Sequence, residues 1–180
     1  MFLGQPWNIE TTMFKQLLVL VAALFLVIGS LLGCGDSAPK NETDWTYGPP
    51  ADFKQQDKDK NGATVFLADK DQDFTAYLQV KAGVNPYDSP QKIAQVAIGK
   101  AVNANNATVK EQETYTIPDS EAYTWLITQI HNGIQVSQRQ FIVKKNKIVV
   151  LFTLTATTNT MDRYDQELAE SLKSFKWGRQ

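Results

Sequence analysis

The chain has 180 residues, with 18 lysines and arginines, 19 aspartates and glutamates, and one cysteine. A net charge of −1 excludes the strongly basic surface that is typical of nucleic-acid-binding proteins, and a single cysteine excludes an intrachain disulfide. Residues 34–180 are long enough to form one domain with its own hydrophobic core. The stability of that domain must therefore come from packing.

An apolar segment near the N-terminus is typical of a secretory signal. Leu17–Ile28 is an unbroken run of 12 apolar residues after Lys15. This run is shorter than the about 20 residues that cross a bilayer, but it matches the apolar region of a signal peptide. Because residues 1–12 contain no basic residue and Met13 opens a cationic start, we interpret Met13 as the true first residue. We expect residues 1–33 to be a signal peptide.

The only cysteine, Cys34, ends a sequence that resembles the bacterial lipobox, "LLGC". In that motif the cysteine thiol is acylated and the cysteine becomes the mature N-terminus. The alternative is a thiol packed inside an uncleaved anchor helix. Catalysis is excluded because no neighbouring group would lower the thiol pKa. We expect lipid at Cys34, a polar tether over residues 34–44 and a domain over residues 45–180 outside the cytoplasm.

Short β-rich runs and a helix open the domain. Residues 63–68 and 73–81 contain alternating apolar residues and predict two strands. Ser89 followed by Pro90 is a helix start, since serine can cap the first turn and proline fits its first position. Apolar residues at helical spacing continue to Val102. A helix that covers one face of a sheet is predicted here.

The second half of the domain predicts a meander and a closing helix. Four strand-like runs over residues 107–158 are joined by the short connections "PDS", "HNG" and "KKN", which favour antiparallel hairpins. An apolar stripe then follows at helical spacing. The predicted fold class is α+β, an α/β/α sandwich in which two helices cover a central antiparallel sheet of about six strands. The stripe is formed by Met161, Tyr164, Leu168, Leu172 and Phe175.

The order of these features resembles the PsbP-like superfamily, which includes PsbP, lipidated cyanobacterial relatives and DcrB-like lipoproteins. The resemblance covers about residues 45–177 and rests on the "YGPPADFK" segment (Tyr47 to Lys54), the order of strands and helices and the final "SFKW". Phe53 departs from the tryptophan that many members have there. The resemblance implies a PsbP-like fold and a binding or assembly role, and it carries over no catalytic residue.

One acidic stretch, "DKDKNG", matches the opening of a calcium-binding loop. Asp57, Asp59 and Asn61 would supply alternating oxygens to one ion. However, Ala68 stands at the twelfth position, where a bidentate glutamate belongs. The alternative is a solvated turn built by Asn61 and glycine. Calcium is the only cofactor that the sequence suggests.

A basic cluster is the second candidate site. Lys144, Lys145 and Lys147 lie at one predicted hairpin tip with Arg139 upstream, and they could contact anionic headgroups or an acidic partner. A solvated turn that protects the sheet edge is the alternative. His131 lies in the "HNG" turn, and it is interpreted either as a turn residue or as a metal ligand.

The function predicted from the sequence is non-enzymatic. No G-x-S-x-G, glycine-rich phosphate loop or H-E-x-x-H is present. We expect a lipid-anchored extracytoplasmic module, on the periplasmic face, in the thylakoid lumen or on the cell surface, that binds or helps assemble a membrane protein complex. If the source is photosynthetic, photosystem II is the candidate partner. If the source is heterotrophic, the candidate partner belongs to the cell envelope. An extracytoplasmic calcium-binding module is the alternative.

The lipobox generates the first testable prediction. The mature protein should begin at Cys34 and carry covalent lipid, with residues 1–33 removed. Several acyl chains are expected, because a single chain holds a protein to a membrane only marginally. Mass spectrometry of the mature N-terminus measures this, and an intact Cys34 thiol on a chain that retains Leu17–Ile28 would contradict it.

The incomplete calcium motif generates the second prediction. Three side chains supply fewer than the six to eight oxygens, roughly, that calcium takes, so the site should be at best of millimolar affinity. When the ligand concentration equals Kd, binding stabilises the fold by only about 0.4 kcal/mol. Millimolar calcium should therefore leave the melting temperature almost unchanged relative to chelator. A large rise that Asp57→Ala with Asp59→Ala abolishes would show that the loop is a real site.

Overall fold

The computed structural model describes residues 45–56, 58, 62–69, 74–131 and 133–178. The main element of this structure is one seven-stranded antiparallel sheet, whose strands follow the spatial order β2-β3-β4-β8-β7-β6-β5. Neighbouring strands are antiparallel throughout. The strands are β2 (Phe53–Gln55), β3 (Thr64–Ala68), β4 (Tyr77–Val84), β5 (Thr108–Ile117), β6 (Ser120–His131), β7 (Ile134–Lys145) and β8 (Ile148–Thr157).

The predicted α+β class is confirmed, but the main sheet has seven strands rather than about six. The additional strand is β2, which pairs with β3 at the edge of the sheet. Three residues are too few for an alternating pattern to be recognised in a sequence. The strand predicted from residue 73 begins only at Tyr77.

The predicted meander is formed by β5, β6, β7 and β8, each paired with the next. Its tight turns place three residues in the left-handed backbone region: Asp119 (φ 56°), Gly133 (φ 79°) and Asn146 (φ 56°). Glycine, asparagine and aspartate tolerate that region better than other residues do, which is why these connections reverse the chain so sharply.

Helix α1 (Pro90–Asn105) covers the β5–β7 part of one sheet face. It begins as predicted, with Pro90 in the first turn and the Ser89 hydroxyl accepting from the Lys92 N–H at 3.3 Å. Asn106 ends it in the left-handed region. Its buried side chains, among them Ile93 and Ala97, pack against Trp125, Ile127, Ile142, Val149 and Leu151.

Helix α2 (Met161–Leu172) packs on the opposite face, mainly over β8 and β7. Successive residues of a strand point to opposite faces, so Phe141 and Val143 of β7 contact the α2 side while Ile142 contacts the α1 side. The predicted stripe is buried, although Phe175 lies after the helix ends. Within the described ranges, no helix is long and apolar enough to cross a membrane.

The two ends of the described chain pair with each other in a small second sheet. Strand β1 (Trp45–Thr46) is antiparallel to β9 (Lys176–Trp177), with Trp45 opposite Trp177. Phe175 stacks on Trp45 at 6.1 Å between ring centroids and contacts Phe152 of β8 edge to face at 5.9 Å. This aromatic cluster attaches both ends of the domain to the main sheet.

Candidate functional site

Residues 47–52 run along α2 and form a groove with it. At one end the Tyr47 hydroxyl is 2.8 Å from the Ser171 hydroxyl, and the Gly48 N–H donates to the Ser174 hydroxyl at 2.9 Å. At the other end Asp52 forms an ion pair with Arg163 near the start of α2. The segment is thus attached to both ends of the helix.

The sequence of this segment explains its shape. Pro49 and Pro50 fix their own φ angles and lack N–H groups, and the residue before a proline is driven to an extended conformation. The segment therefore cannot continue as helix. At Gly48 a Cβ atom would lie 3.4 Å from the Ser174 hydroxyl oxygen, so glycine allows the backbone to approach α2 closely.

The groove is open and has a volume of about 600 Å³. This volume lies in the range, roughly 300–1,000 Å³, of sites that hold small ligands or a few side chains. Its rim carries carboxylates, while Arg163 pairs with two of them from the side. The walls are residues 48–52 on one side and Gln166, Glu167, Glu170 and Ser171 on the other.

Hydrogen-bond acceptors dominate the polar chemistry of the groove. Glu167 accepts from Arg163 Nε at 3.1 Å through Oε1, but its Oε2 is buried without a hydrogen-bond partner. Burial raises the pKa of the Tyr47 hydroxyl, which therefore stays neutral. The Ser171 hydroxyl donates to the Leu168 carbonyl at 2.8 Å and has no histidine beside it among the lining residues. The groove suits a ligand that offers hydrogen-bond donors, not nucleophilic catalysis.

The four basic residues predicted as one patch occupy different places. Arg139 is buried under α2, where its Nε donates to Asp165 at 3.0 and 3.1 Å and its Nη2 also pairs with Glu111 of β5. Lys144 is directed to the opposite face of the sheet and lies 4.0 Å from Glu121. Lys145 and Lys147 remain exposed at the β7–β8 turn. The structure therefore brings the lysines together at one turn but separates Arg139 from them.

The Arg139 ion pair connects the sheet to α2. Burial raises the pKa of the Asp165 carboxyl, and the hydrogen bonds and charge of Arg139 oppose that shift. Burial also lowers the pKa of the Arg139 guanidinium, but its bonds to Asp165 and Glu111 outweigh that effect and hold the pKa above its usual value. The arginine stays charged throughout, so the carboxyl is the group that titrates.

The remaining predicted site residues stand apart from the groove. Cys34, Asp57, Asp59 and Asn61 lie outside the described residues. His131 is the last residue of β6, with its pKa lowered by burial and its Nε2 buried without a partner. In the part of the chain that the structure describes, no three histidine, cysteine or acidic side chains come close enough to hold a metal ion.

The sequence interpretation missed the groove. Asp52 and Glu167 are more than a hundred residues apart, and only the fold places Arg163 between them. The available signal was the proline pair inside "YGPPAD", which excludes helix and strand interior. That signal says the segment is extended, but not which surface it lies on.

Arg139 generates a test of the connection between sheet and helix. Arg139→Met should lower the free energy of unfolding at pH 7 by about 2–3 kcal/mol, somewhat less than the roughly 3–5 kcal/mol for fully buried pairs, because the Asp165 side chain is 23% exposed. Burial already raises the folded-state pKa of Asp165 with Arg139 present, and without Arg139 that pKa rises further above its unfolded value. Folding then favours the protonated acid, so the variant should recover part of its loss below about pH 4 and lose it again as the pH rises.

Chemical denaturation of both proteins at about pH 4 and pH 7 measures this effect. Arg163→Met is the matched control, because the Arg163 side chain is 62% exposed and exposed pairs contribute little. A loss that is equal for the two variants, or independent of pH, would contradict the assignment.

Several solved structures are similar in fold to this chain, and three of them are from bacteria that differ in lifestyle. LpqN of Mycobacterium tuberculosis, "involved in cell envelope biogenesis", matches with a TM-score of 0.61 and 12% identity over 79% of this chain and 87% of that one. Cyanobacterial PsbP (CyanoP) of Synechocystis sp. PCC 6803 matches with a TM-score of 0.53 and 12% identity over 80% and 98%. PA94 of Pseudomonas aeruginosa, a protein of unknown function, matches with a TM-score of 0.56 and 14% identity over 69% and 86%.

At the level of sequence, no protein-family model and no curated protein matches the chain. Identities of 12–14% establish the fold alone. The resemblance seen in the sequence is confirmed at that level: the chain has the fold of the PsbP-like superfamily, shared with CyanoP, LpqN and PA94.

Proposed function

We propose that this protein is a membrane-anchored extracytoplasmic lipoprotein that binds a membrane protein complex or helps assemble it, without catalysing a reaction. The observation that carries this proposal is the groove between residues 47–52 and α2. It is open, and hydrogen bonds and an ion pair hold its two walls together at both ends. A wall that is already ordered loses little conformational entropy when a partner binds.

The chemistry of the groove supports binding rather than catalysis. Its acceptors are carboxylates that already pair with Arg163 or Lys173. A general base needs a nucleophile or a substrate proton within hydrogen-bond reach, and Ser171 is instead hydrogen-bonded to Tyr47 and Leu168. A partner segment with backbone N–H groups, amides or cationic side chains would complement these acceptors.

The structural neighbours support the same class of function. LpqN is described as involved in cell envelope biogenesis, and CyanoP is the cyanobacterial form of PsbP. By analogy, the partner in a photosynthetic source would be photosystem II, and in a heterotroph it would belong to the cell envelope. A shared fold does not determine the partner, so affinity capture is used to identify it. The calcium-binding alternative stays a prediction tied to Asp57, Asp59 and Asn61.

A substitution in the groove tests the proposal. Gln166 is exposed on α2 and lines the groove, so Gln166→Trp should fill it without disturbing the core. In affinity capture from detergent-solubilised membranes, we expect the variant to recover the partner complex about tenfold less well than the unsubstituted protein, the size of a substitution at an important interface position.

The matched control is Asn103→Trp. It adds the same side chain at an exposed position of α1, on the other face of the sheet. This variant should capture the partner as well as the unsubstituted protein does. Equal capture by both variants would overturn the groove as the binding site, and failure of the unsubstituted protein to recover any membrane complex would overturn the proposed function.

A further inference from the structure

The start of the domain and two hairpin turns lie at one end of the main sheet. Trp45 pairs with Trp177, whose Nε1 donates to the Ser120 hydroxyl at 2.6 Å. Ser120 opens β6 at the turn that follows β5. The register Glu121↔Lys144 places the β7–β8 turn at this same end. We call this end the tether pole, defined by Trp45, Trp177 and the turns 117–120 and 145–148.

Lysines are concentrated at the tether pole. The Asn85 N–H donates to the Lys147 carbonyl at 3.0 Å, which brings the start of α1 and its exposed Lys92 beside the β7–β8 turn. Strand β9 contributes Lys176 next to Trp177. The lysines of the pole are Lys92, Lys144, Lys145, Lys147 and Lys176.

Three carboxylates accompany these five lysines: Asp88, Asp119 and Glu121. Glu121 lies 4.0 Å from the Lys144 ammonium, so the exposed lysines face solvent with an excess of positive charge. Trp45 and Trp177 are half-buried at the same pole, and tryptophan is enriched where proteins meet the headgroup region of a bilayer.

The opposite pole has a different surface. The β6–β7 hairpin ends there in Ile130, which is 77% exposed, and in Gly133. Because the 12 residues of β6 span eleven intervals of about 3.3 Å each, the two poles are about 36 Å apart. A bilayer that meets the sheet end-on therefore contacts only one of the two poles.

We propose that the tether pole faces the bilayer and that its lysines contact anionic phospholipid headgroups. This inference rests on the proposed function, specifically on acylation of Cys34. Trp45 lies eleven positions after Cys34 in the sequence, so the chain enters the domain at the tether pole. This pole is the end of the sheet nearest along the chain to an anchor at Cys34, and it is the one presented to the membrane. Each lysine near an anionic surface strengthens the contact by roughly fivefold.

The orientation can be measured on the acylated protein with single thiol labels. Cys34 is the only cysteine, so an introduced cysteine is the only free thiol once Cys34 is acylated. Thr116→Cys labels the tether pole and Gln135→Cys labels the opposite pole, both at exposed strand positions that leave the lysines intact. A fluorophore on each is then quenched by headgroup-labelled lipid in phosphatidylcholine vesicles with or without phosphatidylglycerol.

We expect several-fold stronger quenching at residue 116 than at residue 135 in the anionic vesicles, with a smaller ratio in neutral ones. Lys145→Gln with Lys147→Gln should lower the ratio toward the neutral value. Lys100→Gln with Lys110→Gln removes the same charge away from the pole and should leave the ratio unchanged. Equal quenching at both poles, or a ratio that the pole substitutions and the lipid charge do not affect, would overturn the proposal.

Two results separate this inference from the proposed function. Mass spectrometry that finds Cys34 acylated, together with equal quenching at both poles, overturns the headgroup contact and leaves the anchor intact. A chain without lipid at Cys34 overturns the anchor itself and the orientation that depends on it.

Discussion

The central strands β7 and β8 are the constraint on which the rest of the structure depends. Their residues are buried on both faces, because Phe141 and Phe152 contact α2 while Ile142 and Leu151 contact the α1 side. A strand buried on both sides cannot shift its register by one residue without exchanging the two sets of side chains. Each helix therefore has a single arrangement against the sheet, and this arrangement determines where the surface features lie.

The packing of α2 on the sheet creates the candidate binding surface. Met161, Tyr164, Leu168 and Leu172 anchor α2 to the sheet, which leaves its outer side free for residues 47–52. Arg163 reaches Asp52 from the same helix that carries Glu167. The groove is therefore a consequence of core packing, since its far wall is the solvent side of a helix whose other side is fully buried.

The Arg139 network shows how charge and packing share the same interface. A guanidinium that is 6% exposed between sheet and helix costs desolvation free energy, which its two carboxylate partners offset. Arginine can bind two carboxylates at once through its planar fork. The network thus ties the edge strand β5, the central strand β7 and α2 together, and it does so away from the lysines with which the sequence had grouped Arg139.

The sequence by itself determined the α+β class, the α1 start at Ser89 and Pro90, the meander and the amphipathic face of α2, because each is encoded in local periodicity, capping or turn chemistry. The three-residue strand β2 was too short to show such a pattern. Only the tertiary structure decided that Asp52 meets Arg163, that Arg139 is buried beneath Asp165, and that the β7–β8 lysines lie at the pole of Trp45. Those contacts join residues distant in sequence, and only strand order and register determine which of them meet.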